Sequence, residues 1–188
     1  MLIALHKPYG IVSQFTTDDE KQKTLASCNL PAEVYPIGRL DADSEGLLLL
    51  TDESKLVGEL LSPEHKHPRT YHVQVEGIPD DDDLSILQGG TLVIQNHKVR
   101  PCTARLISDP KYPERNPPIR KRMNIPVSWI EITMHEGKNR QVRRMTAAVG
   151  HPTLRLIRVV IGKFHLQGLA HGTWRELNAE ERSLVFAR

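Results

Sequence analysis

The pattern of segments along this 188-residue chain predicts an α+β fold, a mixed and largely antiparallel sheet with a few flanking helices. Three observations lead there. Strand-like runs outnumber helical ones. Two segments, Arg69 to Gly77 and Val127 to His135, alternate apolar and polar side chains residue by residue, as a half-buried strand must. The helical segments are short, and most are closed by a glycine or a proline.

Met1-Leu2-Ile3-Ala4-Leu5, halted by His6-Lys7-Pro8, is too short for a membrane span or a signal-peptide core and reads as a first strand. Val34 to Ile37 and Leu47 to Leu50 are apolar runs of strand length. Glu53 to Leu61 places Leu56, Val57, Leu60 and Leu61 on one helical stripe, with Ser62-Pro63 as its stop. In Arg69 to Gly77, Tyr71, Val73 and Val75 share a face; in Val127 to His135, Ile130, Ile132 and Met134 do. Asp80 to Gln88 opens with four carboxylates, which suit the positive end of a helix dipole, and ends at Gly89-Gly90. Further strands are expected at Thr91–Gln95, Pro101–Ile107, Thr153–Ile161 and Thr173–Leu177. Helices are expected from Arg140 to Val149, with Gly150 as the stop, and from Ala179 to Phe186.

Ser108 to Pro126 fits neither period. Its prolines (110, 113, 117, 118 and 126) interleave with Lys111, Arg115, Arg120, Lys121 and Arg122, which makes it a stiffened basic loop. Loops of that length in compact domains usually carry function. The formal net charge of +2 hides an asymmetry: residues 1–95 hold 7 Lys and Arg against 16 Asp and Glu, residues 96–188 hold 18 against 7. A basic second half suits a polyanion; the alternative is that the halves interleave in space and neutralise each other. Cys28 and Cys102 stand far apart and outside any metal-ligand spacing, so reduced structural thiols in a cytoplasmic protein are expected.

Two constellations can carry chemistry. Gly38-Arg39-Leu40-Asp41-Ala42-Asp43-Ser44-Glu45-Gly46 lies between the two apolar runs, and a glycine at each end permits a tight turn or a positive φ. A carboxylate there is presented by rigid neighbours, which makes Asp41 the candidate reacting group. The same residues nearly spell an EF-hand calcium loop, but Pro31 and Pro36 bar the helix that should precede it, so no metal is expected. The second is Glu136-Gly137-Lys138-Asn139-Arg140-Gln141-Val142-Arg143-Arg144-Met145. A strand ends, a glycine turns, and a helix begins with three arginines whose guanidiniums, together with backbone N–H groups, form a polyanion cradle. Arginines at a helix start oppose the dipole, which favours an anionic partner over a merely solvated face. Tyr71 by itself reads as a core aromatic.

Five segments stand in order along the chain: His6-Lys7-Pro8-Tyr9-Gly10; Gly38-Arg39-Leu40-Asp41-x-Asp43-Ser44-Glu45-Gly46-Leu47-Leu48; Arg69-Thr70-Tyr71-x-Val73; the Glu136 to Met145 stretch; and Leu156-x-Arg158-x-x-Ile161-Gly162. Together they resemble the pseudouridine synthases of the ribosomal small-subunit/large-subunit family. The resemblance implies the pseudouridine synthase fold, and a reaction that breaks the N1–C1′ bond of a uridine in RNA and joins C5 to C1′ with no cofactor or metal. It implies Asp41 as the catalytic aspartate, Tyr71 stacked on the target uracil, Arg143 paired with the Asp41 carboxylate, and Leu156 lining the base pocket. Arg39, Lys138, Arg140 and Arg144 within the motifs, with Arg120 and Arg122 of the proline-rich loop, are the expected substrate-binding cations. The Arg115 to Arg120 segment resembles the large-subunit branch, so the expected partner is large-subunit ribosomal RNA, bound by a monomer. Residues 1–188 are expected to form one catalytic domain, with length enough for two lobes flanking a central RNA-binding cleft. The small N-terminal S4 domain of some members is not expected here.

The chemistry agrees. Acting on a base inside folded RNA requires extruding it at a cost of about a few kcal/mol, and an aromatic shelf returns about 1–3 kcal/mol by stacking. A neighbouring guanidinium keeps a partly buried carboxylate ionised. Two other readings compete: a non-catalytic RNA-binding module, and a glycosidase pairing Asp41 with Asp43 or Glu45. A basic groove suits a phosphate backbone better than a neutral glycan.

Overall fold

The computed structural model describes residues 1–62, 64, 67–120 and 122–187. Pro63, expected to end the first helix, and Lys121 of the basic loop lie outside the described residues. In chain order the elements are β1 (Leu2–Lys7), β2 (Ile11–Val12), β3 (Lys23–Thr24), a 3-10 turn (Leu25–Cys28), β4 (Tyr35–Pro36), β5 (Glu45–Thr51) and α1 (Ser54–Leu61). Then follow β6 (Arg69–Glu76), α2 (Asp81–Gln88), β7 (Val93–Ile94), β8 (His97–Lys98), β9 (Thr103–Ile107), β10 (Val127–Met134) and α3 (Gln141–Ala148). The last are β11 (Thr153–Ile161), β12 (Phe164–His165), β13 (Trp174–Glu176) and α4 (Ala179–Phe186). The chain divides into unit 1, Met1–Arg69 with Ile157–Arg188, and unit 2, Thr70–Leu156.

Unit 1 carries strands in the order β13-β1-β5-β11, with β4 on β5 and β12 on β11. β1 runs antiparallel to both neighbours while β5 and β11 are parallel, so the sheet is mixed, as expected. Leu2 to Leu5 and Leu47 to Leu50 are buried, because strands covered on both faces have no solvent side to make polar. Ile3, Leu5, Leu48 and Leu50 anchor one core with Leu25, Val34 and Leu40. The α1 stripe is shallower than expected: Leu60 is buried, whereas Leu61 is exposed.

Unit 2 orders its strands β6-β10-β9, with β9 and β10 antiparallel. Tyr71, Val73, Val75, Ile130, Ile132 and Met134 all face its core, on the alternation read from the sequence. Asp80 caps α2 in a reciprocal box with Asp83, so the acidic run sits where the helix dipole favours it. The strand expected at Thr91–Gln95 shrinks to β7, which pairs with β8 across Gln95 and Asn96, both left-handed with φ of 49° and 61°. That hairpin lacks the Asn-Gly signal that announces such a turn. β9 starts two residues later than expected, since Pro101 has no N–H for a ladder. Among the described residues from 108 to 126 no helix or strand forms, as the prolines require.

The units do not follow the halves of the sequence. Unit 1 holds 12 Lys and Arg against 14 Asp and Glu, and unit 2 holds 13 against 9. The asymmetry is therefore largely diluted, because the acidic start of α2 lies in unit 2 and the C-terminal segment joins unit 1. Both cysteines are free and buried, and burial pushes the Cys102 thiol up to about 11. Among the described residues no helix is long and apolar enough to cross a membrane.

Candidate active site

In unit 1 the acidic turn leaves β4 and re-enters the sheet as β5. Its glycines take the expected backbone, Gly38 at φ 73° and Gly46 at φ 103°. Main-chain bonds set its shape: Gly10 N–H donates to Ala42 O (2.6 Å) and Ser44 N–H to Asp41 O (3.0 Å). The buried Ser13 hydroxyl bridges the turn, donating to Leu40 O (2.7 Å) and accepting from Leu40 N–H (3.0 Å). Asp41 is half-buried at the centre. Arg39 is exposed, and its guanidinium reaches Gln14 Oε1 at 3.4 Å.

Two cations lie beneath this turn, Lys7 of the first motif and Arg158 of the last, and neither was assigned a role from the sequence. The strand register places Gly46 between Lys7 of β1 and Arg158 of β11. A Cβ on residue 46 would stand 2.3 Å from Arg158 O, so only glycine lets the strands close here. Lys7 is fully buried, and its Nζ donates to Pro8 O (2.8 Å) and Ile11 O (2.7 Å). Burial pushes its pKa down to about 8, while Glu45, Cys28, Asp43 and Asp41 pull the other way. At neutral pH the turn therefore rests on a charged lysine. Arg158, also buried, donates from Nε to Leu47 O at 2.8 Å. A lysine that ends an apolar strand and precedes a proline reads locally as an ordinary surface charge, so its place in the first motif did not disclose its burial.

In unit 2 the basic turn is arranged around a buried acid. Glu136 Oε1 accepts from Arg100 N–H (3.0 Å) and Gln141 Nε2 (2.5 Å), and Oε2 faces His97 Nε2 at 3.0 Å. Burial pushes its carboxyl up, but the bonds from Arg100, Gln141 and His97 outweigh that and hold it below the usual carboxylate range. Gln141 Oε1 accepts from Lys138 N–H (2.8 Å), and Gln141 N–H donates to Lys138 O (3.1 Å). Two of the amides expected to cradle an anion are thus already satisfied inside the turn. The helix begins at Gln141, one residue later than expected, because Arg140 is left-handed at φ 52°.

The remaining predicted site residues fall as follows. Tyr71 and Leu156 share the unit 2 core with Val142 and Met145 of α3, the helix that carries Arg143 and Arg144. Tyr71 is 8% exposed, so its ring serves that core whatever else it does. Arg143 Nη1 donates to Thr153 O at 3.5 Å. Arg144 folds back on its own turn, donating to Asn139 O (2.7 Å) and Asn139 Oδ1 (2.9 Å), and also to Gln95 Oε1. Lys138 and Arg140 are exposed. Arg120 is exposed on the proline-rich loop, and Arg122 pairs with Glu76 at 3.4 Å. Among the described residues no group of three or more His, Cys, Asp or Glu could hold a metal ion.

Comparison with known proteins narrows the chemistry. Residues 1–148 match a family model described as RNA pseudouridylate synthase. The chain is 51% identical over 177 residues to "Ribosomal large subunit pseudouridine synthase E" of Xanthomonas campestris, covering 93% of this chain and 94% of that protein. It is 48% identical to the protein of the same description from Vibrio vulnificus, covering 94% of this chain and 75% of the other. A solved structure described as "Crystal structure of pseudouridylate synthase" superposes with a TM-score of 0.80 at 25% identity, over 98% of this chain and 73% of that one.

Proposed function

Because the chain belongs to the RNA pseudouridylate synthase family, we propose that it converts a uridine of large-subunit ribosomal RNA into pseudouridine, with Asp41 as the reacting carboxylate. Membership makes it an isomerase acting on RNA. The N1–C1′ bond breaks, the uracil turns, and C5 bonds to C1′. C5 loses a proton and N1 gains one, so nothing is consumed. Tyr71 stacks the extruded base, Leu156 lines its pocket, and Arg143 keeps Asp41 ionised. Arg39, Lys138, Arg140, Arg144, Arg120 and Arg122 meet phosphates and hold the register. Residues 1–188 act as one catalytic domain, a monomer in the cytoplasm.

The observation that carries this reading is the family match over residues 1–148, with Asp41 inside it on a turn braced by backbone bonds and by buried Lys7. Asp41→Asn keeps the size of the side chain and removes its charge. The expected outcome is a loss of pseudouridine formation in a ribosomal RNA transcript by at least about a thousandfold, with RNA affinity retained. Equal rates for variant and wild type would overturn the assignment and favour a non-catalytic RNA-binding module.

A further inference from the structure

We propose that unit 2 holds a second nucleotide pocket, which takes an unstacked nucleotide of the RNA other than the uridine being isomerised. The inference rests on the RNA reading above. Described residues of the basic loop between 108 and 126 border, with β6 and β10, a cavity of about 350 Å³, within the range of small-ligand sites, about 300–1,000 Å³. Neither Asp41 nor Tyr71, Arg143 or Leu156 lines it, so its occupant is not the base assigned to Tyr71.

The walls match a nucleotide. Trp129 and Tyr112 form an aromatic corner, their rings 5.6 Å apart and tilted by 53°. The corner is rigid: the Tyr112 hydroxyl bonds His72 Nδ1 at 2.6 Å. Arg155 lies 5.7 Å from the centre of the Tyr112 ring and is tied to Pro113 O at 2.8 Å. Gln74 supplies a polar edge. Its Oε1 is buried and accepts no hydrogen bond among the described residues, an omission that costs about 1–3 kcal/mol until a donor arrives. An N–H of a nucleobase is such a donor.

Charge points the same way. Four arginines line the cavity with three carboxylates, but Glu76 is engaged by Arg122 at 3.4 Å and Asp109 by Lys111 at 3.1 Å. Arg115, Arg120 and Arg155 line it with Glu114, and the net positive charge of the lining favours a phosphate. Aromatic rings, arginine planes and a base-edge amide in one hollow are how proteins hold splayed bases of single-stranded RNA.

The chain has two tryptophans, so Trp174→Phe leaves Trp129 as the sole indole reporter. Titration of this variant with AMP, GMP, CMP and UMP is expected to quench Trp129 saturably with at least one nucleotide, and not with inorganic phosphate or ribose 5-phosphate. Adding Arg115→Ala and Arg120→Ala is expected to weaken that nucleotide by about tenfold, or 1.4 kcal/mol. No quenching by any of the four, or equal quenching by ribose 5-phosphate, overturns the pocket. In a second arm, Val127→Phe narrows the cavity from an exposed strand end and is expected to raise KM for a ribosomal RNA hairpin about fivefold with little change in kcat. An unchanged KM, with wild-type isomerisation intact, sinks the pocket while the function stands. Absence of isomerisation by the wild type sinks the function, and the mononucleotide titration still judges the pocket.

Discussion

The acidic turn of unit 1 and the basic turn of unit 2 are built on the same plan with the signs exchanged. Asp41 and Asp43 sit above a buried cation, Lys7, whose ammonium is committed to the carbonyls of Pro8 and Ile11. Lys138 and Arg140 project from a turn closed on a buried anion, Glu136, whose carboxylate is committed to Arg100 N–H and Gln141. In each case the surface charges are the ones proposed to meet the substrate, and the opposite charge underneath has its hydrogen bonds taken up by structure. A cluster of like charges repels itself, so holding it in one geometry calls for such a counter-charge. The bracing differs. The acidic turn is held mainly by main-chain bonds, the Ser13 hydroxyl and a glycine wedged between strands; the basic turn is held mainly by the side chains of Glu136 and Gln141, and Arg144 is one of its own struts.

If that contrast is right, the acidic turn fails through its backbone. Gly46→Ala places a methyl against Arg158 O at a positive φ, and strain plus overpacking are expected to cost about 4 kcal/mol. Urea unfolding measures this; a loss below about 1 kcal/mol would show that β5 and β11 can part without harm. The basic turn fails through its buried acid. Glu136→Ala strands Arg100 N–H and the Gln141 amide, an expected loss of about 3 kcal/mol.

The titration of the two buried charges separates them further. Glu136 has its folded pKa depressed, so its contribution is present above the ordinary carboxylate pKa and is lost as pH falls through the folded value. Unfolding of Glu136→Gln followed on the acid side should lack that loss. Lys7 behaves in the opposite sense. Its folded pKa of about 8 lies below the ordinary 10.5, so between these values the unfolded chain binds more protons and the Lys7 contribution to stability rises with pH. The difference between wild type and Lys7→Met should climb across that window by at most about 3 kcal/mol; a flat difference would remove the buried, destabilised ammonium from the account. The smallest effect belongs to Tyr71. Tyr71→Phe keeps the ring and should change RNA affinity less than about threefold, while Tyr71→Ala should weaken it about tenfold. A greater loss for Phe than for Ala would leave no stacking role.

What local pattern dictates was readable from the chain alone. The alternation in β6 and β10, the acidic N-terminus of α2 and the bounds of β11 and α4 follow from periods and caps that act within a few residues. The same holds for the candidate turn: its glycines, its acids and its flanking apolar runs are contiguous, so Asp41 stood out before any strand was placed. The short strands β2, β3, β8 and β12 carried no such signal, because two-residue pairings are chosen by their neighbours and not by propensity. Only the tertiary structure could set Gly46 between Lys7 and Arg158, close the basic turn on Glu136 with Arg100 and Gln141, or fold a proline-rich loop over Trp129. Those contacts join residues tens of positions apart, and the burial that turns a charged side chain from solvent-facing into counter-ion is a property of the packed molecule, which no window of sequence contains.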